Sequence, residues 1–140
     1  MGDTDQLQYL QDRLAIDDLL TRYARAIDGK DYSLLDTCFT PDAHIDYTSS
    51  GGAAGSYPEV RDWLEKTLAM FTMTQHSVTN RHVEITGDTA SSHSHFYNPM
   101  RFESGQMFTV GGYYHDRLVR TAEGWRIVER IEESAWTEGL

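Results

Sequence analysis

The chain has 140 residues, of which 39% are hydrophobic, with 12 Lys and Arg against 22 Asp and Glu for a formal charge of −10. That balance excludes a disordered chain and lacks the basic stripe that nucleic-acid binding requires. A single cysteine, Cys38, excludes an internal disulfide and any Cys-built zinc or iron–sulfur site. No apolar run approaches the ~18 residues of a membrane span, and no basic-plus-apolar leader opens the chain, so a cytoplasmic protein is expected. The length is that of one domain, 1–140. Only Lys30 and Lys66 occur as lysines, and neither follows a Gly-rich loop. Dinucleotide, serine-hydrolase and zinc-protease signatures are missing as well.

In chain order, residues 5–28 read as a helix. Leu19, Leu20, Tyr23, Ala24 and Ile27 recur at the spacing of one buried face. Leu7, Leu10 and Leu14 form a second stripe rotated against the first, which predicts that the early turns dock elsewhere. Gly29 fits the residue just past the helix end. Asp31 is placed to cap a second helix carrying Leu34, Leu35 and Phe39 and ending near Pro41. A short strand is expected over 44–48 and a small-residue loop over 49–56. Ser56, Pro58 and Glu59 have the pattern of a capping box opening a third helix with Val60, Trp63, Leu64 and Leu68 on its apolar side.

After Met70 the period changes to two. Strands are expected over 73–86, 89–101, 106–120 and 125–135, with turns at Gly87-Asp88 and at 122–124. Helices first and an antiparallel meander afterwards make the chain α+β. Strands of that length must twist and curl, leaving a concave side for the helices to cover.

Four side chains are candidates for chemistry. Asp28 stands in the last turn of a helix, where the dipole disfavours an acid; it is either a solvated carboxylate or one held there to orient a partner. His76, at the start of the first long strand, is either a satisfied core histidine or a general base. Together the two would make a base and its orienter, although spacing alone does not bring them into contact. Tyr23 and Tyr47 are phenols on apolar segments, serving either as core or as donors to a developing oxyanion. Alternation along 93–98 puts Ser94, Phe96 and Asn98 on one face, a mixed lining suited to a small-molecule pocket. His93 and His95 lie on the other face. With His82 and His115 they raise the possibility of a metal site; the pocket reading turns them outward instead, and no metal is expected.

Taken together, five stretches resemble the SnoaL-like family of the nuclear transport factor 2-like superfamily. They are Arg22-Tyr-Ala-Arg-Ala-Ile-Asp-Gly-Lys-Asp-Tyr32, Phe39-Thr-Pro-Asp-Ala-His-Ile-Asp-Tyr47, Thr74-Gln-His-Ser-Val-Thr-Asn80, Gly111-Gly-Tyr-Tyr-His-Asp116 and Gly124-Trp-Arg-Ile127. The resemblance implies a cone-shaped α+β barrel, a curved, mostly antiparallel sheet wrapped by three N-terminal helices around a deep pocket. By motif the chain is similar to the scytalone dehydratase, bile-acid dehydratase and hexachlorocyclohexane dehydrochlorinase types, which use an Asp–His pair without metal or cofactor. Asp28 and His76 match that pair, Tyr47 and Tyr23 match its polar companions, and Tyr114 lies on the strand of the far wall. Two departures stand out. The ketosteroid isomerases carry an acid where Tyr47 stands, and a second pocket histidine of scytalone dehydratase falls near Ser94.

The resulting expectation is a cofactor-independent lyase or isomerase, of the dehydratase or β-elimination type, acting on a small hydrophobic cyclic molecule. A non-catalytic binding or partner-subunit domain, and polyketide-cyclase or hydrolase chemistry in the same pocket, are the alternatives. Val83, Ile85, Tyr97 and neighbouring histidines are expected on the outer sheet face, which implies a homodimer or homotrimer.

Overall fold

The computed structural model describes residues 2–139. Helix α1 (Asp3–Asp28) buries Ile16, Leu19, Leu20, Tyr23, Ala26 and Ile27. The upstream stripe behaves differently: Leu7, Leu10 and Leu14 are 61%, 55% and 64% exposed, so within one chain the early turns meet solvent. The helix ends in a Schellman turn, in which the Asp31 amide donates to the Ala26 carbonyl and the Lys30 amide to Ile27. The left-handed residue is Lys30 (φ 51°) and not Gly29, which keeps a right-handed conformation. The Lys30 Nζ donates to the Phe71 carbonyl at 2.8 Å, tying this turn to the sheet.

Asp31 caps helix α2 (Tyr32–Leu35) as expected, its carboxylate accepting from the Leu34 amide. The helix is shorter than the sequence suggests, because Phe39 already begins strand β1 (Phe39–Asp46). There Phe39 pairs with Ile127 of the last strand, and this non-local pairing overrides local helix preference. Pro41 falls where the register shifts, a place that tolerates its missing N–H. The segment after Tyr47 is more ordered than the expected loop. A 3-10 turn (Thr48–Ser50) leads to strand β2 (Ala54–Ser56), which folds back on β1. Helix α3 (Tyr57–Leu68) follows, with Pro58 in its first turn. The capping box is only partly realised: the Ser56 hydroxyl donates to the Glu59 carboxylate, and no side chain caps the backbone.

The expected strand 73–86 is divided into β3 (Phe71–Thr74) and β4 (Ser77–Thr86), both paired with β5 (Thr89–Phe102). Strands β6 (Met107–Thr121) and β7 (Gly124–Glu138) complete a sheet of order β2-β1-β7-β6-β5-β3, with β4 also on β5. The pairing is antiparallel except between β1 and β7, which run parallel. A bulge at Gly111/Gly112 bends β6 against β7, and a Cβ on Gly112 would lie 2.1 Å from the Glu133 carbonyl oxygen. The curved sheet and three helices together form the α+β cone. Helix α1 packs on β4 and β7, and α3 packs on β1 and β2. No helix among the described residues is long and apolar enough to cross a membrane.

A second bulge corrects the outer-face expectation. The register of β4 shifts between Thr79 and His82, where Asn80 adopts φ 52°. The extra residue reverses the alternation, so Val78 and Val83 both point into the core and Ile85 packs against it. The exposed apolar residues of β5 and β7 are Tyr97, Ile131 and Trp136.

Candidate active site

The break between β3 and β4 is the local feature that builds the site. The interruption at Gln75-His76 leaves the His76 amide outside the strand ladder, opposite the end of α1. The Asp28 carboxylate fills that position. Its Oδ2 accepts from the His76 amide at 2.8 Å, and its Oδ1 meets His76 Nδ1 at 2.7 Å. Thr74 Oγ1 adds a third hydrogen bond, donating to Oδ1 at 2.9 Å. Sequence spacing left their contact open; the fold brings Asp28 and His76 together. The carboxylate both anchors the backbone and orients the ring.

An ionised carboxylate only accepts, so Nδ1 is the protonated nitrogen and Nε2 keeps its lone pair. No hydrogen bond engages Nε2 among the described residues. The His76 side chain is 7% exposed, and the ring borders a cavity of about 210 Å³. Tyr23, Tyr47, Phe96, Asn98 and Tyr114 border the same cavity, so the even face of β5 and the α1 stripe converge as the alternation predicted. Asp28 stands behind His76 and is not a lining residue. Ile27, Leu64, Leu68, Phe71 and Val110 make much of the remaining wall apolar. Gly52 belongs to the rim: a Cβ there would sit 2.8 Å from the Trp63 ring, so only glycine lets the loop close against it.

The phenols form a connected group. Tyr23 and Tyr47 share a hydrogen bond of 2.7 Å between their hydroxyls, and the Tyr23 ring lies edge-on to His76 at 6.2 Å. Tyr114 stacks on Phe96 at 4.5 Å and meets Tyr23 edge-on. Burial raises the phenol pKa of Tyr23, Tyr47 and Tyr114 well above the ordinary value, opposed by the nearby Arg130 charge. These side chains stay protonated and act as hydrogen-bond donors, not bases.

Two residues essential to this arrangement escaped sequence reasoning. Arg130 is completely buried, its guanidinium 4.1 Å from the Tyr23 ring centre and 3.9 Å from that of Tyr114. It makes a two-point ion pair with Asp116, both contacts 2.8 Å. Burial opposes its charge, but Asp116 outweighs this and holds its pKa well above the ordinary value. Glu132, two residues on, borders the cavity and accepts a hydrogen bond from Ser50. Burial raises its pKa, partly offset by Ser50 and Arg130. Neither acid–base pattern nor motif marked these positions. The only available signal was that Arg130 and Glu132 share one face of an otherwise charged strand.

His93 and His95 project from the opposite, outer face of β5, away from the cavity. His93 stacks on Tyr113 and lies 4.8 Å from the His115 ring. No group of three or more His, Cys, Asp or Glu among the described residues is arranged to hold a metal ion.

Comparison with known proteins places this geometry. The SnoaL-like domain model matches residues 8–131. An uncharacterised protein of Mycobacterium tuberculosis is 44% identical over 125 residues, covering 88% of this chain and 85% of that protein. Among solved structures, a Novosphingobium aromaticivorans protein assigned provisionally as an aromatic ring hydroxylase superposes with a TM-score of 0.87 at 29% identity, covering 94% of each chain. Hexachlorocyclohexane dehydrochlorinase LinA-type3 from Novosphingobium barchaimii superposes with a TM-score of 0.83 at 19% identity, covering 96% of this chain and 94% of that one. The fold, the extent of the match and the relatives agree, and the chain belongs to the SnoaL-like domain family.

Proposed function

We propose that the protein is a cofactor-independent lyase or isomerase, in which His76 removes a proton from carbon and Asp28 holds the ring and stabilises its positive charge. The observation that carries this reading is the 2.7 Å Asp28–His76 contact with Nε2 left unpartnered at an apolar cavity. Such a base accelerates a reaction by ~10²–10⁴. The acidic proton belongs next to a carbonyl or a similar activating group. As it leaves, negative charge develops on the activating oxygen, and the Tyr23–Tyr47 hydroxyl pair supplies a donor for it, the other proton being shared between the two. In an elimination, the C–H electron pair becomes the new double bond and the leaving group departs with its own pair. In an isomerisation, the imidazolium returns the proton to a different carbon.

Cavity size limits the substrate. An apolar cavity of about 150 Å³ holds a benzene molecule, so about 210 Å³ takes one ring with a few substituents. The relative named a dehydrochlorinase is consistent with elimination, and the fold by itself does not choose the chemistry.

The test is a panel of small cyclic β-hydroxy ketones, with formation of the conjugated enone followed by absorbance. The wild type should form the enone, while His76→Ala should bind the same compounds without converting them. Compounds that bind the wild type but are never converted would replace the enzyme reading with that of a binding domain.

A further inference from the structure

The proposed proton transfer leaves a carboxyl group on the cavity wall without a role. Glu132 and Arg130 project onto the same face of β7, but Arg130 is paired with Asp116, so Glu132 is not consumed in an ion pair. It borders the cavity together with Tyr47, Ser50 and Asn98, and among the described residues its carboxyl group is hydrogen-bonded by Ser50 alone. A carboxyl group has lone pairs to spare after one such bond.

The second observation is Asn98. Its side-chain amide oxygen is fully buried on the inner face of β5 and has no hydrogen-bond partner among the described residues. A buried polar atom without a partner is costly, and because Asn98 borders the cavity, a turn of its amide toward a bound hydroxyl would supply one. The remaining wall, built from Ile27, Leu64, Phe71, Phe96 and Val110, offers an apolar ring nothing but contact. The cavity therefore asks its occupant for an apolar body and a hydrogen-bond donor, and an acidic group on the wall disfavours an anion.

We infer that Glu132, with Asn98, anchors a hydroxyl group of the substrate, so that the cavity selects a hydroxylated ring over a hydrocarbon or halogenated ring of the same shape. The inference rests on the reading of this cavity as the substrate site. It does not require that His76 act as the base.

Phenol and toluene have nearly the same shape and differ in the donor, so they serve as the probes. Each is titrated into the full chain by ligand-observed NMR up to millimolar concentration. The wild type should prefer phenol by about tenfold, the scale of one net hydrogen bond. Glu132→Gln, which conserves shape, should reduce that preference several-fold by weakening phenol and leave toluene unchanged. His76→Ala should retain the preference whatever it does to turnover, which separates this claim from the proton-transfer reading. Equal affinities in the wild type, an unchanged ratio in Glu132→Gln, or no binding of either probe would overturn the inference. A preference that disappears with His76 and survives in Glu132→Gln would also overturn it, by assigning the hydroxyl to the imidazole.

Discussion

Arg130 shows how one residue can organise a site that it does not act in. Its charge lies between two phenol rings and is balanced by the Asp116 carboxylate, with both side chains inaccessible to solvent. Removing one member of such a pair leaves the other buried and uncompensated. Arg130→Met should therefore cost about 3–5 kcal/mol in a denaturant titration, whereas a loss below about 1 kcal/mol would show that Asp116 finds another partner. Tyr47→Phe tests a different role. It removes one hydroxyl of the 2.7 Å pair, should lower turnover by about 10² or more, and should change ligand affinity far less. Asp28, His76, Tyr23 and Tyr47, which the structure gathers at or behind the cavity, were marked in the sequence by position and residue type, and only the family resemblance set them apart from core or solvated side chains. Arg130 and Glu132 were not: in Glu129-Arg130-Ile131-Glu132-Glu133 charge reads as solvation, and only the register of β7 against β6 reveals which charges face inward.

At the level of elements, one of the side chains that fasten α1 to the sheet is Asp12. Its carboxylate takes two hydrogen bonds from Arg120, at 2.7 and 2.9 Å, and one each from Trp125 and Gln8. Arg120 lowers its pKa from 3.8 to about 2, against the opposing effect of burial. A carboxylate whose pKa is depressed by folding stabilises the protein above its unfolded value and loses that contribution as pH falls through the folded one. Asp12→Asn should cost about 1–2 kcal/mol at neutral pH, and the gap to wild type should close as pH falls from about 5 to about 2. A gap that stays constant over that range would show that shape, not charge, holds the helix. The same level shows what periodicity can and cannot reveal. The three helices, the α+β order and the alternation of β5 and β6 were readable because each follows from a local spacing. The division of β3 from β4, the bulge at Asn80 and the strand conformation of Phe39 depend on pairing with distant residues, and no local pattern records them. The site's decisive feature, a His76 amide left out of the strand ladder and bound by Asp28, belongs to this second class.

Across the whole molecule, curvature turns two separate surfaces to different uses. The inner face meets α1 and α3 around the cavity, and the outer face exposes Tyr97, Ile131 and Trp136 beside the histidines of β5 and β6. An exposed apolar patch of this kind is commonly covered by another subunit, and light scattering should return two or three times the 16.0 kDa chain mass; the single-chain mass at micromolar concentration would contradict this. The cavity account makes the sharper demand, because it treats two residues 48 positions apart in the chain as one catalytic unit. The measurement that tests this most directly is a double-mutant cycle on a confirmed substrate, with kcat/KM measured for His76→Ala, Asp28→Asn and the two combined. His76→Ala should lose about 10²–10⁴ in rate, and Asp28→Asn should lose most of its activity because an amide cannot stabilise the imidazolium. The double mutant should be hardly slower than His76→Ala, since residues that act as a unit do not lose independently. Retention of about a third or more of the wild-type rate by His76→Ala, or single losses that multiply in the double mutant, would contradict the account.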